Sequence, residues 1–202
     1  MAEAGPSGKV AGGLGKGDMR GYFGIGIEGA SKAMNVGALF RTAHAFGASF
    51  VFTVAAAYDP EEGGRADTSA ATASVPFYAF PDVKSLLLPE GCALVGIELM
   101  DGAIDLPSFR HPRVAAYVLG PERGRLSAAM VVRCAHVVKI PTAFSINVGL
   151  AGALAMYDRV LTLGRFAPRP VRAGGPTEAL PKHTFGSPKF RRAVAKFQRF
   201  PP

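Results

Sequence analysis

Acidic residues are scarce in this chain. Fifteen Asp and Glu stand against 23 Lys and Arg, for a net charge of +8. Such an imbalance favours a polyanionic partner, nucleic acid above all. Cysteine is nearly absent: Cys92 and Cys134 stand alone in apolar segments. With no Cys-x-x-Cys and no Cys/His cluster, no structural zinc is expected, and two reduced core thiols are. No apolar run reaches the roughly eighteen residues that span a bilayer. Residues Met1 to Lys16 are Gly-rich and polar, without the apolar stretch of a signal peptide. The expectation is a cytoplasmic protein with no membrane partner and no metal.

Hydrophobic residues make up 49% of the 202. That is enough for one domain with a sizeable core, plus extensions. Residues 1–21 read as a flexible Gly-rich leader, because so many glycines cost much backbone entropy to order. Residues 165–202 form a basic, Pro-rich extension with Glu178 as its one acid. Its cations can hold phosphates, and Phe185, Phe190, Phe197 and Phe200 can stack on bases or pack on their own domain. Residues 22–164 are the expected domain.

Within that domain strands and helices alternate. Strands are read at Tyr22 to Glu28, Ser49 to Val54, Phe77 to Phe80, Ala93 to Ile97, Val114 to Leu119 and His136 to Ile140. Asn35 to Phe46 reads as a helix, with Val36, Leu39, Phe40 and Ala43 as its apolar stripe, Asn35 as its cap and Gly47 as its stop. Val83 to Leu88 reads as one or two helical turns, and Ser145 to Leu161 as the last helix. The fold class is therefore α/β: continuous apolar strands separated by helices make a parallel sheet covered on both faces.

Two glycine patterns resemble phosphate loops. Gly24-x-Gly26-x-x-Gly29 has the dinucleotide spacing. Its first two glycines fall inside a strand, and no acid stands about twenty residues on. Strand glycines that permit close backbone approach are the better reading. Gly15-Lys16-Gly17 lacks both the following Ser/Thr and a preceding strand, and is set aside.

Three segments carry chemistry. Asn35-Val36-Gly37-Ala38-Leu39-Phe40-Arg41, followed by Phe46-Gly47, places an arginine among apolar residues. Arg41 either faces an anion or snorkels from the stripe. Leu119-Gly120-Pro121-Glu122-Arg123-Gly124-Arg125-Leu126-Ser127 turns out of a strand at the end where parallel sheets bind ligands. Glu122 either meets a ligand there or sits in a tight turn capped by Ser127. Ile140-Pro141, then Ser145-Ile146-Asn147-Val148, leads into a helix rich in Gly and Ala. Ser145 and Asn147 stand at its positive end, as caps or as ligand contacts.

In order and wording these segments, spread over residues 22–162, resemble the SPOUT or α/β-knot methyltransferases, specifically the TrmH-like branch. That family's pattern is N-x-G-x-x-x-R followed by F-G, then a strand ending in G-x-E-x-x-G-[LV]-S, then I-P and S-[LI]-N-V before a small-residue helix. The resemblance implies a parallel sheet flanked by helices, with a C-terminal deep trefoil knot tied from 114–119, 136–140 and the helix from Ser145. Sterics and topology alone would not predict a knot.

The same resemblance implies S-adenosyl-L-methionine as cofactor, held at Leu119, Gly120, Glu122, Ile140, Ser145, Asn147 and Leu150. It implies a homodimer, for which the small-residue helix suits close packing. It assigns Arg41, Asn35, Glu122, Ser145 and Asn147 to catalysis of methyl transfer to RNA, at a ribose 2′-hydroxyl. A guanidinium stays protonated, so Arg41 is read as a clamp and charge stabiliser, with a substrate phosphate taking the proton. His44 is the more ordinary base by pKa, though the family pattern does not require it. Transfer RNA is the first expected substrate and ribosomal RNA the second. A catalytically silent RNA-binding knot protein and a nucleotide-dependent oxidoreductase are the competing readings. Two departures stand out: only Thr142, Ala143 and Phe144 separate Pro141 from Ser145, a shorter loop than many TrmH-like proteins have, and no separate RNA-binding domain is recognisable.

Overall fold

A computed structural model describes residues 21–57, 75–164, 166–167, 169–170 and 173–175. The chain divides into two compact units, Met1–Arg165 and Phe166–Pro202, and every element below belongs to the first. The predicted leader, the Gly15-Lys16-Gly17 turn and the four tail phenylalanines lie outside the described residues.

The elements in chain order are β1 (Tyr22–Glu28), α1 (Ala33–Ala45), β2 (Phe50–Val54), β3 (Phe77–Phe80), β4 (Ala93–Ile97), β5 (Ile104–Asp105), a 3-10 turn (Leu106–Ser108), β6 (Val114–Leu119), α2 (Ala128–Arg133), β7 (His136–Lys139) and α3 (Val148–Leu163). The strands form one seven-stranded sheet in the order β3-β2-β1-β6-β4-β7-β5. Every pairing is parallel. The connection out of β1 leads to β2 on one side, and that out of β6 leads to β7 on the other. A reversal of this kind opens a crevice at the carboxyl ends of the strands.

Alternation along the strands divides the core in two. Phe23, Ile25 and Ile27 of β1 and Ala115, Tyr117 and Leu119 of β6 meet Leu39 and Phe40 of α1 and Met156 of α3. On the other face Phe52, Val54, Ala116 and Val118 meet Leu86 and Met130 of α2. Gly24 and Gly26 of β1 leave room there for β2: a Cβ on Gly24 would overlap the Phe50 ring, and one on Gly26 the Phe52 backbone. These two glycines serve close approach inside the sheet, and no helix follows them directly.

Helices α1 and α3 pack against each other through small residues. A Cβ on Gly152 would overlap Leu39 Cδ1, and one on Gly149 would touch Ala38. The small-residue stretch expected to serve a dimer thus serves, at these two positions, the α1–α3 seam within one chain.

Some boundaries differ from those read in the sequence. Helix α1 starts at Ala33 behind Lys32, which caps without its side chain. Asn35 is therefore inside the first turn, and its amide is free to leave the helix. Helix α3 starts at Val148, because Asn147 Oδ1 accepts from the amides of Gly149 and Leu150 at 2.8 and 3.4 Å. Residues 83–88 form no helix. Pro89 disfavours helical backbone at Leu88, and Arg133 takes the carbonyls of Val83 and Leu86 that helix amides would otherwise use.

At the amino ends of β1 and β6 lies a buried polar cluster that sequence reasoning missed. Arg159 of α3, 1% exposed, donates to the carbonyls of Pro112, Arg113 and Tyr22 at 2.5, 2.7 and 3.3 Å. Its guanidinium lies over the Phe23 ring, 5.3 Å from the centroid. It also donates to the Tyr117 hydroxyl at 3.2 Å, which is 2.5 Å from His111 Nδ1, while His111 Nε2 meets Asp158 at 2.9 Å. The acceptor-only carboxylate assigns the ring proton to Nε2, so Nδ1 accepts from Tyr117.

Candidate functional site

A cavity of about 510 Å³ opens over the carboxyl ends of three neighbouring strands, β6, β4 and β7. Its floor is apolar, made by Ile97 at the end of β4, Leu119 at the end of β6 and Ile140 just past β7. Its rim is polar and is built from loops, as ligand sites on a rigid sheet commonly are.

One hydrogen-bonded chain ties the rim together. Glu122 Oε1 accepts from Asn35 Nδ2 at 2.9 Å, and Oε2 accepts from the Ser31 amide and hydroxyl at 3.3 and 3.1 Å. Asn35 Oδ1 accepts from Asn147 Nδ2 at 3.3 Å. Asn147 Oδ1 in turn caps α3. Three segments far apart in sequence thus meet through three side chains. Burial pushes the Glu122 carboxyl up, but the hydrogen bonds from Asn35 and Ser31 and from its own amide outweigh it, and its pKa lies below the ordinary value.

Two further carboxylates hold the loop that carries Glu122. Glu28, at the end of β1, accepts from the Ser127 amide at 2.9 Å and its hydroxyl at 2.6 Å. Ser127 also caps α2 by accepting from the Met130 amide at 3.1 Å. Glu98, just past β4, accepts from the Leu126 amide at 2.8 Å and the Leu99 amide at 3.0 Å. Consecutive amides, Leu126 and Ser127, are therefore pinned by acids from two different strands. Gly120 is required beneath this loop, since a Cβ there would stand 2.9 Å from the Leu126 amide and 3.1 Å from Glu98 Oε2. The following loop is closed by Thr142, whose hydroxyl donates to the Phe144 carbonyl at 2.9 Å.

Of the residues singled out in the sequence, Asn35, Leu119, Gly120, Glu122, Ile140, Ser145 and Asn147 all line this cavity. Leu150 does not: it is 61% exposed on the outer face of α3. Arg41 does not either. It lies exposed on α1, about 9 Å along the helix from Asn35 and a third of a turn away from it. Its side chain is exposed to solvent in the single chain. His44 is also exposed and outside the cavity.

Sequence reasoning missed Glu98, Ser31, Lys32 and Arg123, which bound or buttress the rim. Glu98 carried a readable signal: like Glu28, it is a lone acid at the end of an apolar strand. Among the described residues no His, Cys, Asp and Glu cluster could hold a metal. Nor is any described helix long and apolar enough to cross a membrane.

The sequence profile of the SpoU rRNA Methylase family matches residues 23–157. The chain belongs to that family. It is the TrmH-like branch to which the three segments point. Relative to the SpoU pattern the 120–127 loop shows one departure. The pattern's second glycine falls at position 125, where this chain has Arg125; the glycine stands one residue earlier, as Gly124 with φ 150°.

Solved structures of SpoU proteins share the fold. The methyltransferase AviRb from Streptomyces viridochromogenes, in complex with the cofactor AdoMet, aligns with TM-score 0.62 at 24% identity, over 70% of this chain and 60% of AviRb. A protein solved for insights into 2-OH methylation of C/U34 on tRNA aligns with TM-score 0.62 at 21% identity, over 71% of this chain and 97% of that one. The A. aeolicus TrmH/SpoU tRNA modifying enzyme gives 0.57 at 16%, over 71% and 77%. At such identities the likeness establishes the fold, and this chain spans only about three fifths of AviRb. No curated protein sequence matches the chain.

Proposed function

We propose that this chain is an S-adenosylmethionine-dependent RNA methyltransferase acting on a ribose 2′-hydroxyl, with tRNA as first substrate and rRNA as second. One observation carries the reading: the Glu122–Asn35–Asn147 chain gathers all three family segments around a single cavity. That cavity suits the cofactor. Its volume, about 510 Å³, falls within the range of small-molecule sites. Its apolar floor suits a purine, and its polar rim suits a ribose and an amino acid. Bound there, S-adenosylmethionine supplies an activated methyl group.

What remains for the protein is positioning. Asn35, Glu122 and Asn147 fix one another and shape the wall toward α1. Lys32 and Arg123 on the rim place positive charge where an RNA phosphate would approach. The basic stretch 165–202 adds phosphate contacts. A C-terminal deep trefoil knot tied from 114–119, 136–140 and the helix from Ser145 belongs to this reading.

Arg41 needs a second copy to reach a site. It shares the outer face of α1 with Met34, 76% exposed, seven residues before it. Across the α1–α3 seam, Leu150, Leu154 and Tyr157 continue an exposed apolar stripe at helical spacing, 61%, 44% and 50% exposed. We read this face as a homodimer contact. Arg41 at its edge then serves the partner's cavity, clamping the substrate phosphate and stabilising charge at the reacting hydroxyl.

The test is methyl transfer from labelled S-adenosylmethionine to separated tRNA and rRNA from cells lacking the protein, followed by nucleoside analysis. A 2′-O-methyl nucleoside that disappears with Arg41→Ala supports the reading. Transfer to a base, or no transfer and no cofactor binding, removes it.

A further inference from the structure

Two carboxylates line the cavity, and they differ in how much of their bonding capacity the protein uses. Glu122 is spent on the wall: one oxygen takes Asn35, the other takes both the amide and the hydroxyl of Ser31. Glu98 takes one backbone amide on each oxygen, Leu99 on Oε1 and Leu126 on Oε2. An ionised carboxylate has about four acceptor positions, so each oxygen of Glu98 keeps one.

Among the described residues no cation pairs with Glu98: the ion pairs there are His111–Asp158 and Lys139–Asp105. A half-buried acid on a cavity wall, hydrogen-bonded but without a cation, is matched best by a ligand that donates. Its placement narrows the donor. Glu98 stands at the end of β4, the middle strand of the three beneath the cavity, and directly follows Ile97 of the apolar floor. Both of its protein partners are main-chain amides, so its two oxygens are aimed by the sheet and the Leu126 loop rather than by mobile side chains.

We propose that Glu98 binds the vicinal 2′,3′-diol of the cofactor's ribose, one hydroxyl donating to each carboxylate oxygen. This inference rests on the S-adenosylmethionine reading. Two parallel acceptors beside an apolar slot match adenosine, in which two neighbouring hydroxyls sit one ring away from a purine. The ammonium of the methionine end is a single point donor at the far end of the molecule, and matches the paired geometry less well. Glu98 thereby has two tasks on the same carboxylate: its amide contacts close the Gly120–Leu126 loop, and its remaining acceptors read the ligand that the loop encloses.

The experiment is calorimetric titration of wild type, Glu98→Ala and Glu98→Gln with S-adenosylhomocysteine and with its 2′-deoxy and 3′-deoxy analogues. Thermal unfolding of each variant is measured in parallel. Wild type should lose about tenfold or more in affinity for each deoxy analogue, the worth of a hydrogen bond to a charged group. Glu98→Ala should bind the parent ligand more weakly and discriminate less than about twofold, giving a clear coupling in the double cycle. Glu98→Gln keeps the shape and one carbonyl acceptor, so it preserves the fold if alanine does not, and it should lose discrimination against one analogue more than the other. Equal discrimination in wild type and both variants overturns the assignment while leaving the cofactor reading intact. Failure of wild type to bind S-adenosylhomocysteine at all overturns both.

Discussion

Asn35 Nδ2 donates to Glu122 Oε1 across 2.9 Å, joining the first turn of α1 to the loop after β6. The two residues are 87 positions apart. The contact exists because α1 begins at Ala33 and not at Asn35: a capping Asn35 would have turned its side chain back onto its own helix. Asn35 is freed by an earlier helix start, and the cap role at this site falls to Asn147.

Removing that donor should expose its effect on Glu122. The Glu122 pKa lies below its ordinary 4.5 although burial opposes this, because Asn35 and Ser31 stabilise the anion. A depressed folded pKa contributes stability that is present above about 4.5 and lost as pH falls through the folded value. Asn35→Ala should move the carboxyl inflection upward in an NMR titration. It should also weaken S-adenosylmethionine binding by on the order of tenfold. An unchanged Glu122 inflection would mean that Asn35 does not hold the anion in solution.

Gly152 sets the distance between α1 and α3. Alanine is the better helix former by about 1 kcal/mol, so at an open site Gly152→Ala would stabilise the protein. Here its Cβ would overlap Leu39 Cδ1, and Leu39 is fully buried, so its methyl would have to shift within the packed core. Overpacking of this kind costs about 1–3 kcal/mol, so a net loss in stability is expected from urea unfolding. A gain would show that the seam yields easily.

Far from the cavity, His111 should give the protein an acid-sensitive step. Burial drives its pKa below 6.5, and the contact with Asp158 offsets this only in part. Nδ1 already accepts from Tyr117, so a second ring proton would displace that hydroxyl from its acceptor. The folded ring therefore binds a proton less readily than the unfolded one. Stability is full above about 6.5 and declines as pH falls from there toward the folded value. Melting temperatures between pH 7.5 and 5 should fall in wild type, and the fall should shrink in His111→Gln.

The strands were legible because a parallel sheet buried on both faces writes itself as continuous apolar runs. Ala93 to Ile97 and Val114 to Leu119 are observed with the bounds the sequence implies. Strand β5 is two residues long, too short for any periodicity. The helical turn expected at 83–88 is prevented by two things, of which only Pro89 is visible nearby; the other is Arg133, about fifty residues downstream. In the site, motif wording located Asn35, Glu122 and Asn147 but could not say that they touch. Arg41 and Leu150 belong to the same motifs by spacing, yet helix geometry turns both outward. The Arg159 cluster left no local pattern, since its partners are mostly carbonyls of residues 22, 112 and 113.

The outward turn of Leu150, Leu154 and Tyr157 makes the proposed dimer easy to break. Leu154 lies mid-stripe on α3 and is 44% exposed in the single chain. Leu154→Glu should leave the fold intact and place two charges face to face in a two-fold contact. Sedimentation should show a dimer for wild type and a monomer for the variant. A monomeric wild type at micromolar concentration would reject the dimer directly.

Arg41 gives the dimer a functional consequence. It sits on the outer face of α1 and does not line its own chain's cavity. If it serves the partner, Arg41→Ala should lower methyl transfer by at least tenfold and leave S-adenosylmethionine affinity unchanged, because the cavity that binds the cofactor keeps every lining residue. Asn147→Ala should also lower methyl transfer, but by damaging the cavity and weakening S-adenosylmethionine binding while sparing Arg41. Each homodimer is then inactive for a different reason. Mixing the two variants produces heterodimers in which an intact cavity faces an intact Arg41 once per pair, and activity should reappear at a fraction of wild type. An arginine acting within its own chain predicts no such outcome. Every heterodimer would then carry one chain lacking the arginine and one lacking the cavity, and mixing would restore nothing.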